Sequence, residues 1–131
     1  MAVRVLVVDD QEPFRLAAAA VVGTTPGFVL AGEAGTGEDA LESVRQLMPD
    51  VVLLDVVLPG IDGWATADLI RTGHPSVQLV LLSTYDGVDQ YERAAAAGLR
   101  FVPKHRFDAD VLLAAVSPGD GSRTDGPRQD P

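Results

Sequence analysis

Five short runs of β-branched and aliphatic residues alternate with five stretches of helical spacing, and this alternation narrows the possible folds more than any other feature. The runs are Val3–Val8, Phe28–Ala31, Val51–Leu54, Val77–Leu82 and Leu99–Val102. Each is nearly continuous in apolar residues, as strands buried on both faces are. The stretches between them cover about Glu12–Val22, Gly37–Leu47, Gly63–Thr72, Val88–Ala97 and Asp108–Val116. Strict alternation with short connections implies a parallel sheet with helices on both faces.

Local signals place the boundaries. Thr36 is an N-cap for the second helix, and Glu38 and Asp39 in its first turn favour the helix dipole. Pro49, Pro59 and Pro75 fall between elements, where a missing N–H costs least. Gly98 follows Ala94–Ala97 and suits a helix stop. Five strands and five helices fit an α/β, flavodoxin-like sheet in the order 2-1-3-4-5. Residues 1–116 are expected to form this unit. Ser117–Pro131 carries no large apolar residue, so it cannot bury enough surface to offset its ordering entropy. It is expected to be a disordered polar tail, too short to be an output domain.

Composition removes several function classes. At 131 residues, 47% hydrophobic and 22% charged, the chain reads as one globular domain, with no internal repeat beyond the alternation of strands and helices. Ten Lys+Arg against nineteen Asp+Glu give a net charge of −9, so direct nucleic-acid binding is not expected. No cysteine excludes disulfides and thiolate chemistry. The longest apolar run, Leu16–Val22, is far below the ~20 residues a membrane helix needs, and the N-terminus does not read as a signal peptide. A cytoplasmic protein without membrane contact is the expectation.

In an open parallel sheet, ligands bind at the carboxyl ends of the strands. Asp9 and Asp10 follow the first strand, Asp55 the third, Ser83 the fourth and Lys104 the fifth. The first and third strands are neighbours in the expected order, so three carboxylates converge. At an effective dielectric near 20, one like-charge pair ~4 Å apart costs about 4 kcal/mol. A proton or a cation must offset this, and Mg²⁺ with its oxygen ligands suits the donor set. Lys104 and Ser83 add a positive charge and a hydroxyl, which can surround phosphoryl oxygens. The chemistry suggested is phosphoryl transfer to an aspartate.

Asp9-Asp10, Asp55 with Val56-Val57-Leu58-Pro59-Gly60-Ile61-Asp62-Gly63, Ser83-Thr84 and Lys104 resemble the receiver domain of two-component response regulators. The resemblance runs from residue 3 to about 116. It implies that Asp55 is the phosphoacceptor, with a sensor histidine kinase or a histidine phosphotransfer protein as donor. It further implies that Asp10 and Asp55 ligate Mg²⁺ with the backbone carbonyl of Val57, and that Asp9 acts mainly through water. Lys104 and Ser83 would contact the phosphoryl oxygens, and Ser83, Phe101 and Tyr85 would report the switch. The surface altered would be the fourth helix, fifth strand and fifth helix, as an output or homodimer contact. The resemblance implies a signalling switch that promotes its own phosphorylation and dephosphorylation, not an enzyme. Ser83-Thr84-Tyr85-Asp86 and Gly32-Glu33-Ala34 resemble regulators with a LuxR-type output. One departure is His105, where many receivers carry a cis-proline; no cis bond is expected there. The apolar bulk of Val57 and Tyr85 lies where the family governs water access to the acyl phosphate.

Competing readings exist at each position. Alone, Asp9-Asp10 reads equally as a solvated strand end, Ser83 as a turn residue and Phe101 as core. Lys104 is the only lysine among ten basic residues, which favours a specific role. His74 and His105 read as exposed loop residues, and Gly35-Thr36-Gly37 as a turn and cap. Trp64 begins the third helix beside the expected site. A haloacid dehalogenase-type phosphatase requires D-x-D, whereas the sequence is Asp9-Asp10-Gln11. A flavodoxin requires a first loop rich in Ser, Thr and Gly, whereas Asp9, Asp10 and Glu12 would repel its cofactor phosphate. A degenerate receiver acting as a phosphorylation-independent interaction module is the remaining alternative.

Overall fold

The computed structural model describes residues 2–84 and 88–116. The elements run β1 (Val3–Val8), α1 (Glu12–Thr24), β2 (Phe28–Ala34), α2 (Gly37–Leu47), β3 (Val51–Asp55), α3 (Gly63–Gly73), β4 (Gln78–Ser83), α4 (Val88–Ala96), β5 (Arg100–Pro103) and α5 (Ala109–Ala115). A single 3₁₀ turn, Lys104–Arg106, joins β5 to α5. All strand pairs are parallel and the order is β2-β1-β3-β4-β5. The expected sheet order and helix coverage are those found. The tail 117–131 and Tyr85 lie outside the described residues.

Period-two side-chain alternation divides the interior into two cores. Val5 and Val7 of β1, Leu53 of β3 and Leu82 of β4 face α1 and α5, meeting Ala18, Val22 and Leu112. Leu6 and Val8 of β1, Leu54 of β3 and Leu81 of β4 face the opposite way, meeting Ala40, Val44, Ala67, Ile70 and Ala94 of α2, α3 and α4. The central strand β3 is buried at every position, which explains its unbroken Val-Val-Leu-Leu.

Among the described residues, side chains cap three helices. Thr36, Asp62 and Asp108 accept from the amides of Asp39, Ala65 and Val111 at 2.8–3.0 Å. Gly98 takes a φ of +71 just beyond α4, the left-handed geometry that favours glycine at a helix stop. The largest departure from the sequence reading is β2, which continues through Gly32 and Glu33 to Ala34. The register against β1 slips between Val5 and Leu6, so Val5 pairs with Leu30 and Leu6 with Gly32. The extra residue at Ala31 is a bulge that lets an edge strand run on through residues of low strand propensity.

Candidate phosphoacceptor site

The carboxyl ends of β1, β3 and β5 meet at one edge, as the strand order requires. Among the described residues, Asp9, Asp10 and Asp55 offer carboxylate oxygens that all lie within 4.8 Å of one another. Asp9 is fully buried, Asp55 is 3% exposed and Asp10 is exposed at the rim. Lys104 lies between them. Its Nζ is 2.7 Å from Asp9 Oδ2 and 3.1 Å from Asp55 Oδ2. The Asp9 contact is an ion pair without hydrogen-bond alignment, so the buried Oδ2 of Asp9 has no hydrogen bond. The ammonium also sits 4.7 Å from the Phe14 ring centroid.

The backbone holds each acid in place. Asp9 Oδ1 accepts from the Gln11 amide at 2.8 Å, a turn that starts α1. Asp55 Oδ1 accepts from the Val57 amide at 3.1 Å, while the Val57 side chain projects into solvent. Behind Asp55, the Gly63 amide donates to Val56 O at 2.9 Å. A Cβ at Gly63 would lie 2.1 Å from the Asp55 carbonyl oxygen, so α3 starts against the back of the site only because residue 63 is glycine. A tether on the other side comes from Glu38, whose Oε2 accepts from the Ile61 amide at 3.4 Å.

Crowding sets the electrostatics. Burial pushes the Asp55 carboxyl above its ordinary value. The Val57 amide pulls it down, the Asp9 charge pushes it up again and Lys104 pulls it down, leaving it raised. Burial alone would lower the Lys104 ammonium, but its contacts with Asp9 and Asp55 outweigh that and raise it. Asp10, Gln11, Asp55, Val57, Thr84 and Lys104 line an open cavity of about 220 Å³. Three acids with one ammonium leave negative charge and a buried oxygen without a hydrogen bond, so the donor set fits a hard divalent cation.

Every described residue singled out in the sequence for the acid site lies where its strand end predicts. Ser83 is buried at the end of β4, paired in register with Pro103 of β5. Phe101 is half-buried on the α4 side of the sheet, its ring 4.8 Å from Tyr91 in an edge-on arrangement. The Lys104–His105 bond is trans, as are all the described peptide bonds. Trp64 lies half-buried under the Arg93 guanidinium, 4.3 Å from the ring centroid. Sequence reasoning missed Gln11, Phe14 and Arg15. Gln11 Oε1 lies 3.4 Å from Lys104 Nζ, and Arg15 reaches back to the Asp9 carbonyl. One signal was present: glutamine is a poor N-cap, and the Gln11 side chain caps nothing.

Fold and site together define a doubly wound α/β domain with an acidic pocket at the point where the strand order reverses. A family model described as the response regulator receiver domain matches residues 5–117, and the chain belongs to that family. It is 30% identical over 115 residues to the transcriptional regulatory protein DegU of Brevibacillus brevis, covering 87% of this chain and 48% of DegU. It is 42% identical over 82 residues to the response regulator GacA of Pseudomonas viridiflava, covering 62% of this chain and 38% of GacA. Among solved structures, the signal receiver domain of NarL from Mycobacterium tuberculosis aligns with a TM-score of 0.81 at 30% identity, covering 93% of this chain and 98% of that one. The chain spans about half the length of the first curated relatives it matches. Among the described residues, no helix is long and apolar enough to cross a membrane.

Proposed function

We propose that this chain is a phosphorylation-dependent signalling switch whose phosphoacceptor is Asp55. The observation that carries the reading is the convergence of Asp9, Asp10, Asp55 and Lys104 around one open cavity. The donor is the phosphohistidine of a sensor kinase or of a phosphotransfer protein. An Asp55 carboxylate oxygen forms the new P–O bond as the P–N bond breaks, and the histidine nitrogen keeps the electron pair. Asp10, Asp55 and the Val57 carbonyl would hold Mg²⁺, with Asp9 behind them acting through water. Bound there, Mg²⁺ supplies positive charge that offsets the crowded carboxylates and the incoming phosphoryl group.

The chain's own residues do the rest. The Val57 amide holds one Asp55 oxygen, which leaves the other as the nucleophile. That other oxygen, Oδ2, is the one Lys104 contacts, so the ammonium has only to follow it to reach the phosphoryl oxygens. The buried Ser83 at the end of β4 supplies a hydroxyl on the same edge. The added charge draws Ser83 and Lys104 toward Asp55, and Phe101 with its partner Tyr91 responds on the β5–α4 surface. Tyr85, outside the described residues, belongs to the same proposed switch.

We further infer that residues 1–116 are the receiver unit and that the α4–β5–α5 surface carries the output or homodimer contact. A LuxR-type DNA-binding output and a cytoplasmic setting agree with the regulators this chain resembles. The test is incubation with a phosphohistidine donor or acetyl phosphate and Mg²⁺. A base- and hydroxylamine-labile phosphoryl group on wild type, absent from Asp55→Asn, is expected. Incorporation by Asp55→Asn at the wild-type rate would refute the assignment. No incorporation by wild type would favour a phosphorylation-independent interaction module.

A further inference from the structure

We propose that Arg15 is a positioning residue for the acid loop, acting on Asp10 through the backbone of Asp9. The inference rests on the reading that the three carboxylates hold a divalent cation. Arg15 lies one turn into α1, and its side chain is only 20% exposed. Its Nη1 donates to the Asp9 carbonyl oxygen at 2.9 Å, and its Nε donates to Glu33 Oε1 at 3.1 Å. Nη2 lies 3.8 Å from Glu12 Oε2. The guanidinium therefore spans from the loop after β1 to the end of β2. A planar fork suits this task, because two rigidly related donors fix two acceptors at once.

The bond to Asp9 lies on the peptide that joins Asp9 to Asp10. On the other side of Asp9, its own amide donates to Ala34 O at 3.0 Å. Asp9 is thus held at its N–H by the end of β2 and at its C=O by Arg15 of α1. Rotation of the Asp9–Asp10 peptide would break the Arg15 bond and swing the Asp10 carboxylate at the rim. Nothing else described fixes that carbonyl.

A positive charge behind an acid cluster has two opposed effects on cation binding. As a charge, Arg15 repels the ion, so its removal would tighten binding. As a brace, it preorganises the ligands, so its removal would weaken binding. The two roles predict opposite signs, and the brace governs here, because the guanidinium charge is already met by Glu33 and Glu12.

The test uses Mg²⁺ alone, titrated into Arg15→Met, Arg15→Lys and wild type, with amide exchange measured on the metal-free proteins. Arg15→Met should bind Mg²⁺ roughly tenfold more weakly, at the lower end of the effect of supporting partners on metal affinity. Its Gln11 amide, bonded to Asp9 Oδ1, should exchange several-fold faster while the α5 amides keep their protection. Arg15→Lys, which keeps the charge and loses the fork, should fall between the two proteins. Tighter or unchanged Mg²⁺ binding in Arg15→Met, or an unchanged Gln11 amide, overturns the proposal. Wild type that bound no Mg²⁺ would refute the cation reading, and the Gln11 amide would then decide the role of Arg15.

Discussion

The two edges of the sheet treat charge in opposite ways. At the amino edge, helices end, and arginines meet their free carbonyls. Arg4 Nη1 donates to Leu47 O at 2.6 Å and to Met48 O at 2.9 Å, closing the end of α2. Arg71 does the same for Ala97 just beyond α4. Both arrangements match cation to helix C-terminus and satisfy groups that would otherwise lack partners. At the carboxyl edge, three acids crowd one ammonium, and a buried oxygen of Asp9 goes without a hydrogen bond. One hollow of about 380 Å³ lies at the amino edge between Arg71, Gln78 and Arg100, another of about 380 Å³ lies at the end of β2 between Arg15, Glu33 and Asp39, and about 220 Å³ surrounds Asp55. The hollow where the three acids meet is the smallest of these. Crowded carboxylates, rather than volume, set the Asp55 hollow apart from the others.

Substitutions at the two edges should therefore differ in sign as well as in size. The largest effect is expected at Gly63, where a Cβ would meet the Asp55 carbonyl oxygen and the Val56 backbone. Gly63→Ala should lower stability by about 3 kcal/mol or prevent folding, since neither neighbour is a flexible side chain. Chemical denaturation checks this, and a wild-type midpoint would show that the back of the site is soft.

Asp55→Asn should go the other way. Removing one acid from the crowded cluster should stabilise the Mg²⁺-free protein by roughly 0.5–2 kcal/mol, as at other sites strained for function. The pH dependence gives a second check. A carboxyl raised in the folded state binds its proton more tightly there than in the unfolded chain. Its penalty is present above the folded value, is relieved as pH falls through it, and is gone below the unfolded value near 3.8. The advantage of Asp55→Asn over wild type should thus shrink on acidification. An advantage that stayed constant or grew would contradict the raised carboxyl.

Arg4→Ala, at the opposite edge, should destabilise by about 1 kcal/mol through the lost carbonyl contacts and leave phosphorylation at the wild-type rate. A changed rate would mean that the edges are coupled. Arg93→Ala should cost least, under ~1 kcal/mol, while shifting Trp64 emission as the guanidinium leaves the ring. An unmoved spectrum would show that the stacking is not kept in solution.

Much of this was readable from the chain, for a physical reason. The bounds of β1 and α2 follow from side-chain periodicity and from Thr36, both of them local. Asp9, Asp10, Asp55 and Lys104 were found because a parallel sheet brings strand ends together whatever the loops do. The extension of β2 was hidden, because Gly32 and Glu33 are held by pairing with β1 rather than by their own propensity. Arg15 and Phe14 were hidden for a related reason. Their partners Glu33 and Lys104 lie 18 and 90 positions away, and only the loop geometry brings them into contact.

The sheet keeps the two cores apart. Consecutive residues of a strand such as Leu6 and Val7 belong to different interiors, so side chains deep under α5 and deep under α3 pack in different clusters. Energetic effects at such separated positions add rather than compound. Descendants of this chain can therefore drift in the layer under α1 and α5 while the layer under α2, α3 and α4 stays fixed, and the reverse. Lineages diverging from one ancestor can remodel one layer for new company without relearning how to fold the other.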